Sequence, residues 1–350
     1  MKKILFITSG IGIGGAERQL ALLAKEINKR GFYSKILPLS YDPNEENFPD
    51  FENLELVDFQ IRKNKINLKE YFRLRDFIKK EQPDIIQGWM YAGNIAASVL
   101  TLGLKKNIFH SIRASDMDNR RYGKQIKFSK YISKYVKKVI LNSQAGYDFH
   151  KKIGFEAENM LVIPNGIDTK IFKPDPNLRK KMRNKLGISA HKKVVIFVAR
   201  LDPMKSHQKV LEIAYRHPDL LFLFVGFRTK NIKAPNNVLK LGLCNEMNSV
   251  YNSADIMVHF SNYGEGFPNV IGEAMACGIP VLANDIGDNK HIIGKTGLIE
   301  TNLQLEKIDK NINILLNISK QIAEKNKIRE RIVYNFSVSK MVESYIKLYN

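Results

Sequence analysis

Cysteine is nearly missing from this chain. Its 350 residues hold two, Cys244 and Cys277, in separate apolar settings and without C-x-x-C spacing. That excludes a disulfide framework and argues against a cysteine zinc site. No apolar run approaches the roughly 20 residues a membrane-spanning helix needs. The apolar start MKKILF runs into Gly10–Glu17 instead of a small-residue cleavage site, so no signal peptide and a cytoplasmic protein are expected. Acidic residues are also scarce, 35 against 56 Lys and Arg, leaving a net charge of +21. Such a balance calls for an anionic partner: nucleic acid, a membrane surface or a phosphorylated substrate. The excess is not confined to one arm, since residues 1–166 hold 28 basic and 18 acidic side chains and the remainder 28 and 17. Neither internal repeats nor low-complexity tracts occur, and the length suits two ordinary domains.

What is present is a long alternation of short apolar runs with helical patterns. KKILFIT (2–8) reads as a buried strand. A glycine turn and a helix with Leu20, Leu23, Ala24 and Ile27 on one face follow, then a second strand, Phe32–Leu39. Gly10, Gly12 and Gly15 fit G-x-G-x-x-G, yet the acidic residue that should end the second strand is missing, and Asp42 already lies in the next turn. A tight turn is expected there, not a nicotinamide site. Further strands are expected at Asp84–Trp89, Ile108–Ile112, Val139–Asn142 and Leu161–Ile163, with helices between them. Tyr91 and Asn94 are cleft candidates or, equally, core and cap residues. Pro164–Asp168 and the proline-rich Phe172–Pro176 read as the domain boundary. A second alternating series begins at Val194–Ala199 and gives way to polar helices from Leu303, ending in an amphipathic piece at Val338–Tyr349. The expected fold class is α/β, with two doubly wound domains facing across a cleft.

Asn119–Lys138 reads as one helix with Arg120, Lys124, Lys127, Lys130, Lys134 and Lys137 in a basic stripe, and Phe128, Ile132, Tyr135 and Val136 as its apolar side. An anionic membrane surface and plain solvent both suit such a helix.

The densest chemistry lies in SNYGEGFPNVIGEAMACGIP, Ser261–Pro280. Glu265 stands in a glycine turn, and Pro268 and Asn269 open a helix carrying Glu273. A helix amino end placed after a strand is suited to phosphate. Arg200 and Lys205 follow another strand and can converge on a diphosphate, one through a planar fork and one as a point charge.

The order GGAE, PNGID…F, RL…K, EGFPNVIGEAMACGIPV, G…TGLI resembles the family-four retaining glycosyltransferases of the GT-B fold, of the bacterial cell-surface polysaccharide type, over nearly the whole chain. The resemblance implies an acceptor-binding domain at 1–166, a nucleotide-sugar-binding domain at 167–332, and a terminal helix, 333–350, returning to the first. It implies transfer of a hexose from a nucleotide-sugar, of UDP type, to a lipid-linked or polysaccharide acceptor. No metal and no cofactor are implied, the nucleotide-sugar being a substrate. Carried over by position, Glu273 holds the ribose and Glu265 the donor sugar. Gly266, Phe267, Pro268 and Asn269 surround sugar and phosphates, Arg200 and Lys205 neutralise the diphosphate, and Gly14 and Gly15 approach it. Arg113 stands where relatives have a catalytic histidine, with His110 expected to pack in its strand. Arg120, Lys124, Lys127 and Lys130 form the membrane or acceptor face. Departures at Phe227-Arg228, Asp288 and His291 leave the sugar undefined. Competing readings are a nucleotide-sugar epimerase, a dehydrogenase and a basic nucleic-acid-binding protein; the last has no recognised module to support it.

Overall fold

The computed structural model describes residues 1–12, 14–40, 51–59, 67–116 and 119–350, with 119–121 described by backbone alone. Asp42 and the Arg120 side chain lie outside the described residues. Two compact units emerge: Met1–Gly166 with Val338–Asn350, and Ile167–Ser337.

In the first unit seven parallel strands run in the order β3-β2-β1-β4-β5-β6-β7. They are β1 (Lys3–Thr8), β2 (Tyr33–Pro38), β3 (Glu55–Leu56), β4 (Ile85–Trp89), β5 (Asn107–Ile112), β6 (Lys138–Leu141) and β7 (Met160–Val162). Alternate residues of β1 feed opposite faces, as strand pleating requires. Ile4 and Phe6 pack with α1 (Gly15–Asn28), whereas Leu5 and Ile7 pack with α2 (Leu68–Glu81) and α3 (Met90–Leu100). Asn67 caps α2 in a reciprocal capping box with Glu70.

The second unit carries six parallel strands in the order β10-β9-β8-β11-β12-β13. They are β8 (Val194–Val198), β9 (Leu221–Val225), β10 (Val238–Gly242), β11 (Ile256–His259), β12 (Val281–Ala283) and β13 (Leu298–Ile299). Val194 and Ile196 face one core with α8 (Met247–Ser253) and α9 (Asn269–Ala276). Val195 and Phe197 face the other with α7 (His207–Arg216) and α11 (Leu305–Ile318). Phe197, Phe222, Phe224 and Phe260 are fully buried, each contributing about 2 kcal/mol by area.

Three expectations change. Phe172–Pro176 is not a linker: Phe172 is in the second unit's core, and Asp175 caps α6 (Pro176–Lys185) with proline at its first position. The chain leaves the second unit at Ser337, not at 333, because α12 (Ile322–Phe336) keeps Phe336 packed against Phe267. The next helix, α13 (Val338–Tyr349), belongs to the first unit, where Val342 and Tyr345 are fully buried. The basic helix α4 (Asn119–Ile132) stops well before Lys138, which is already in β6. Among its described side chains Ile126, Ser129 and Ile132 are buried. Phe128 and Tyr135, expected inside, are exposed beside Tyr131. Lys130 donates to the Ile153 carbonyl, so it leaves the stripe, while Lys124 and Lys127 remain exposed.

Candidate active site

Doubly wound sheets bind ligands outside the carboxyl ends of the strands where the order reverses. In the second unit that place lies between β8 and β11, and the chain puts Arg200 and Lys205 after β8 and Ser261–Glu265 after β11. The two loops are latched. Lys205 and Ser261 form an isolated antiparallel bridge, Asn262 donates its backbone N–H to Met204, and Ser206 Oγ donates to Asn262 Oδ1 at 2.7 Å.

The latch brings Lys205 Nζ onto Glu265 Oε1 in a direct ion pair. Ser261 Oγ donates to the same oxygen at 2.6 Å. Both charged side chains are mostly buried, 14% exposed for the lysine and 9% for the glutamate. Burial by itself would raise the Glu265 pKa. Lys205, with a smaller part from His259, outweighs it and holds the carboxyl well below the ordinary range. From behind, Asn284 braces the loop by pairing with both backbone groups of Ser261. Gly287, at φ +61°, lies so close that a Cβ there would stand 2.6 Å from the Glu265 carbonyl oxygen.

The other expected donor residues divide. Glu273, on α9, is buried and accepts from Tyr251 Oη at 2.9 Å. Arg200 is exposed and pairs with Asp202. Phe267 is a core residue, stacked edge-on to Phe336, so its ring is not offered to a sugar. Gly266 accepts from the Asp288 N–H, Pro268 caps α9, and Asn269 begins it. The structure therefore joins Lys205 to Glu265 and leaves Glu273 and Arg200 with other partners.

In the first unit the order reverses between β1 and β4, at the Gly10–Gly15 turn and Trp89. Gly14 is extended at the cap of α1, where a Cβ would collide with the Glu17 carboxylate; Gly15 opens the helix. Trp89 Nε1 donates to the Ala16 carbonyl. Arg113 differs from expectation. Its guanidinium is buried 4.1 Å above the Trp89 ring and donates from Nη2 to Tyr345 Oη, while Nε and Nη1 have no partner among the described residues. These contacts hold it to residues of its own unit. His110 is fully buried, bonded through Nε2 to Ser98 Oγ, and burial pushes it down to about 3. Tyr91 and Asn94 are core residues, bonded to His150 and to the Ser111 backbone.

Sequence reasoning passed over His259, Ser261 and Asn284. The signal for the first was there, a single polar residue inside the apolar run Ile256–Phe260.

Residues 13–171 match the model of Glycosyltransferase Family 4, and residues 179–335 that of Glycosyl transferases group 1. The chain belongs to these glycosyltransferases. It is 28% identical to spore coat protein SA of Bacillus subtilis over 215 residues, 53% of this chain and 57% of that one. It is 27% identical to the UDP-Gal:alpha-D-GlcNAc-diphosphoundecaprenol alpha-1,3-galactosyltransferase of Escherichia coli over 220 residues, 57% and 56% of the two chains. These matches span little more than half the length of those curated relatives. Anabaena HepE, solved in complex with UDP-glucose, superposes with a TM-score of 0.85 at 20% identity over 99% of both chains. The fold is thus GT-B, two Rossmann-like domains on parallel sheets. Among the described residues no helix is long and apolar enough to cross a membrane.

Proposed function

We propose that this glycosyltransferase moves a hexose, with retention at the anomeric carbon and without a metal, from a UDP-sugar to a lipid-linked or polysaccharide acceptor of a cell-surface glycan. The observation that carries the reading is the Lys205–Glu265–Ser261 cluster at the switch point between β8 and β11. There Arg200, Lys205 and the amino end of α9 neutralise the departing diphosphate, a preorganised field of the kind that lowers such barriers most. Glu265 holds the donor sugar and Glu273 the ribose. The first unit receives the acceptor. The HepE complex with UDP-glucose and the undecaprenol-linked substrate in the name of the E. coli relative support donor and acceptor classes of this kind.

The test is a thermal-shift screen of UDP-, GDP- and ADP-sugars, followed by UDP release with membrane extracts as acceptor and proton NMR of the product's anomeric centre. A specific UDP-sugar should raise the melting temperature by mass action. A flat response to every UDP-sugar rejects the donor; an inverted product rejects retention. Peripheral membrane binding is part of the same proposal, resting on the exposed Lys124, Lys127, Phe128 and Tyr131 of α4. Co-sedimentation with phosphatidylglycerol vesicles but not with phosphatidylcholine vesicles is expected, and equal recovery from both removes it.

A further inference from the structure

His259 ends β11, and strand alternation turns it, like Met257, toward the α9 face. Its imidazole is wholly buried, and among the described residues neither ring nitrogen has an aligned hydrogen-bond partner. Polar groups buried this completely are usually hydrogen-bonded, so each that is not calls for a reason. Nε2 stands 3.4 Å from Glu265 Oε1, within reach but out of line, while Lys205 and Ser261 occupy that oxygen.

On the transferase reading, Lys205 must serve the donor's diphosphate, and it cannot give its full charge to both groups. As the ammonium turns outward, the buried Glu265 carboxylate gives up its ion pair with Lys205, a change that by itself favours taking up a proton. We propose that His259 is the positioning residue for Glu265: its ring closes the remaining gap and donates to the carboxylate in the donor-bound state, keeping Glu265 charged and fixed while Lys205 holds phosphate. This rests on the function proposed above. Ser261 contributes one further donor to the carboxylate, and the charged groups acting on His259 are Lys205 and Glu265 themselves.

Removing Lys205 genetically stands in for drawing it away, so the first test needs no ligand. Melting temperatures are compared for the wild type, Lys205→Met, His259→Leu and the double variant. His259→Leu should cost little, or even stabilise, while Lys205 is present. In the Lys205→Met background it should lower the midpoint by roughly 3 °C or more beyond additivity. His259→Gln, which keeps a donor at similar reach, should recover most of that loss. Additive effects, or no difference between Gln and Leu in the Lys205→Met background, overturn the inference. A UDP-release assay adds a second reading. His259→Leu should lower kcat by about tenfold with UDP affinity little changed, and His259→Gln should stay within about threefold of wild type. A structural role alone would weaken UDP binding as much as turnover. Should the wild type release UDP from no UDP-sugar, the transferase reading fails, and the variant cycle still judges His259.

Discussion

Each unit buries a cation near the carboxyl ends of its strands, and the two are treated in opposite ways. Lys205 meets a carboxylate, a hydroxyl and, at one remove, an imidazole, from the end of β11 and the loop after it. Arg113 meets the face of Trp89 and one phenol, with no carboxylate among the described residues. An ion pair taken out of water balances desolvation against attraction, and removing either half leaves the other exposed to the full penalty. A guanidinium on an indole is tolerated because it is weakly hydrated and the ring face is negative. The first arrangement is tense and separable, as a binding site requires. The second is a tie between the sheet and α13, made across 232 positions of sequence.

The sharpest way to break this contrast is Glu265→Gln, which keeps shape and removes charge. Turnover is expected to fall about a hundredfold or more. Stability should drop by about 3 kcal/mol, because Lys205 is left without its partner. Urea unfolding and UDP release check both. An unchanged unfolding midpoint would mean that the pair is not formed in solution.

Next in size is Gly287→Ala. The left-handed backbone and the contact with the Glu265 carbonyl both oppose a Cβ, and the close neighbours are backbone or near-backbone atoms that cannot swing away. We expect about 2 kcal/mol of destabilisation and a loss of activity, since yielding would move Glu265 itself. Denaturant unfolding with the same release assay separates the two effects.

Acid should act in two pH windows, one set by Glu265 and one by buried histidines of both units, since burial also holds down His207 and His259 in the second. Glu265 has a folded pKa below its ordinary 4.5, so its contribution is complete above that value and is lost as pH falls toward the depressed one. His110 and His150 are also depressed, to about 3 and about 4 from 6.5, but they are neutral when folded. Their contribution is complete above pH 6.5 and declines as pH falls toward those values. Urea midpoints should therefore begin to fall below about pH 6.5. His110→Leu should flatten the segment from 6.5 to 4 and leave the Glu265 segment below 4.5 in place. A wild-type profile level down to pH 4.5 would contradict the buried neutral histidines.

How far all this could be read from the sequence depends on the range of the contact that decides it. The strands were legible because a buried parallel strand is a local apolar run, whereas the order in which they pair, and with it the switch points, was seen only in the sheets. Glu265 and Lys205 were legible as chemistry but not as a pair, since the pairing depends on the Lys205–Ser261 bridge between distant loops. Arg113 was placed at the right strand end, but its direction is set by Tyr345, which no local pattern announces. In the basic stretch Phe128 and Tyr135 were counted as interior. Ile126, Ser129 and Ile132 of α4 and Ser133 just after it are buried instead, and Phe128 and Tyr135 are left outside. Asp175-Pro176 was read as a linker although it is a helix start in its own right, an acidic cap followed by proline.

Arg113→Met tests the quieter half of the comparison. If the arginine is a tie, an apolar side chain of similar length should hold the space. The lost stacking and the lost bond to Tyr345 would be offset by burying no unpaired N–H, leaving stability within about 1 kcal/mol of wild type. Turnover should then fall less than tenfold. A hundredfold loss at unchanged stability would return Arg113 to the catalytic position its place in the sequence suggests, and would mean that the guanidinium turns outward during the reaction.

The smallest effect is expected at Gly12. It belongs to the same turn as Gly14, and a fingerprint reading would make all the glycines of that turn equally necessary. The geometry does not: among the described residues a Cβ at Gly12 meets nothing within 4 Å, whereas one at Gly14 requires the Glu17 carboxylate to swing aside. Gly12 is also not among the residues with positive φ. Gly12→Ala should therefore change stability by no more than about 0.5 kcal/mol, and the reduced freedom of the unfolded chain could even raise it slightly. UDP-sugar affinity measured on the same variant then gives the turn its function. If stability holds and affinity falls, the open space beside Gly12 is where a ligand comes close to the backbone. If both hold, Gly12 is a plain turn residue and the contact belongs to Gly14 and Gly15.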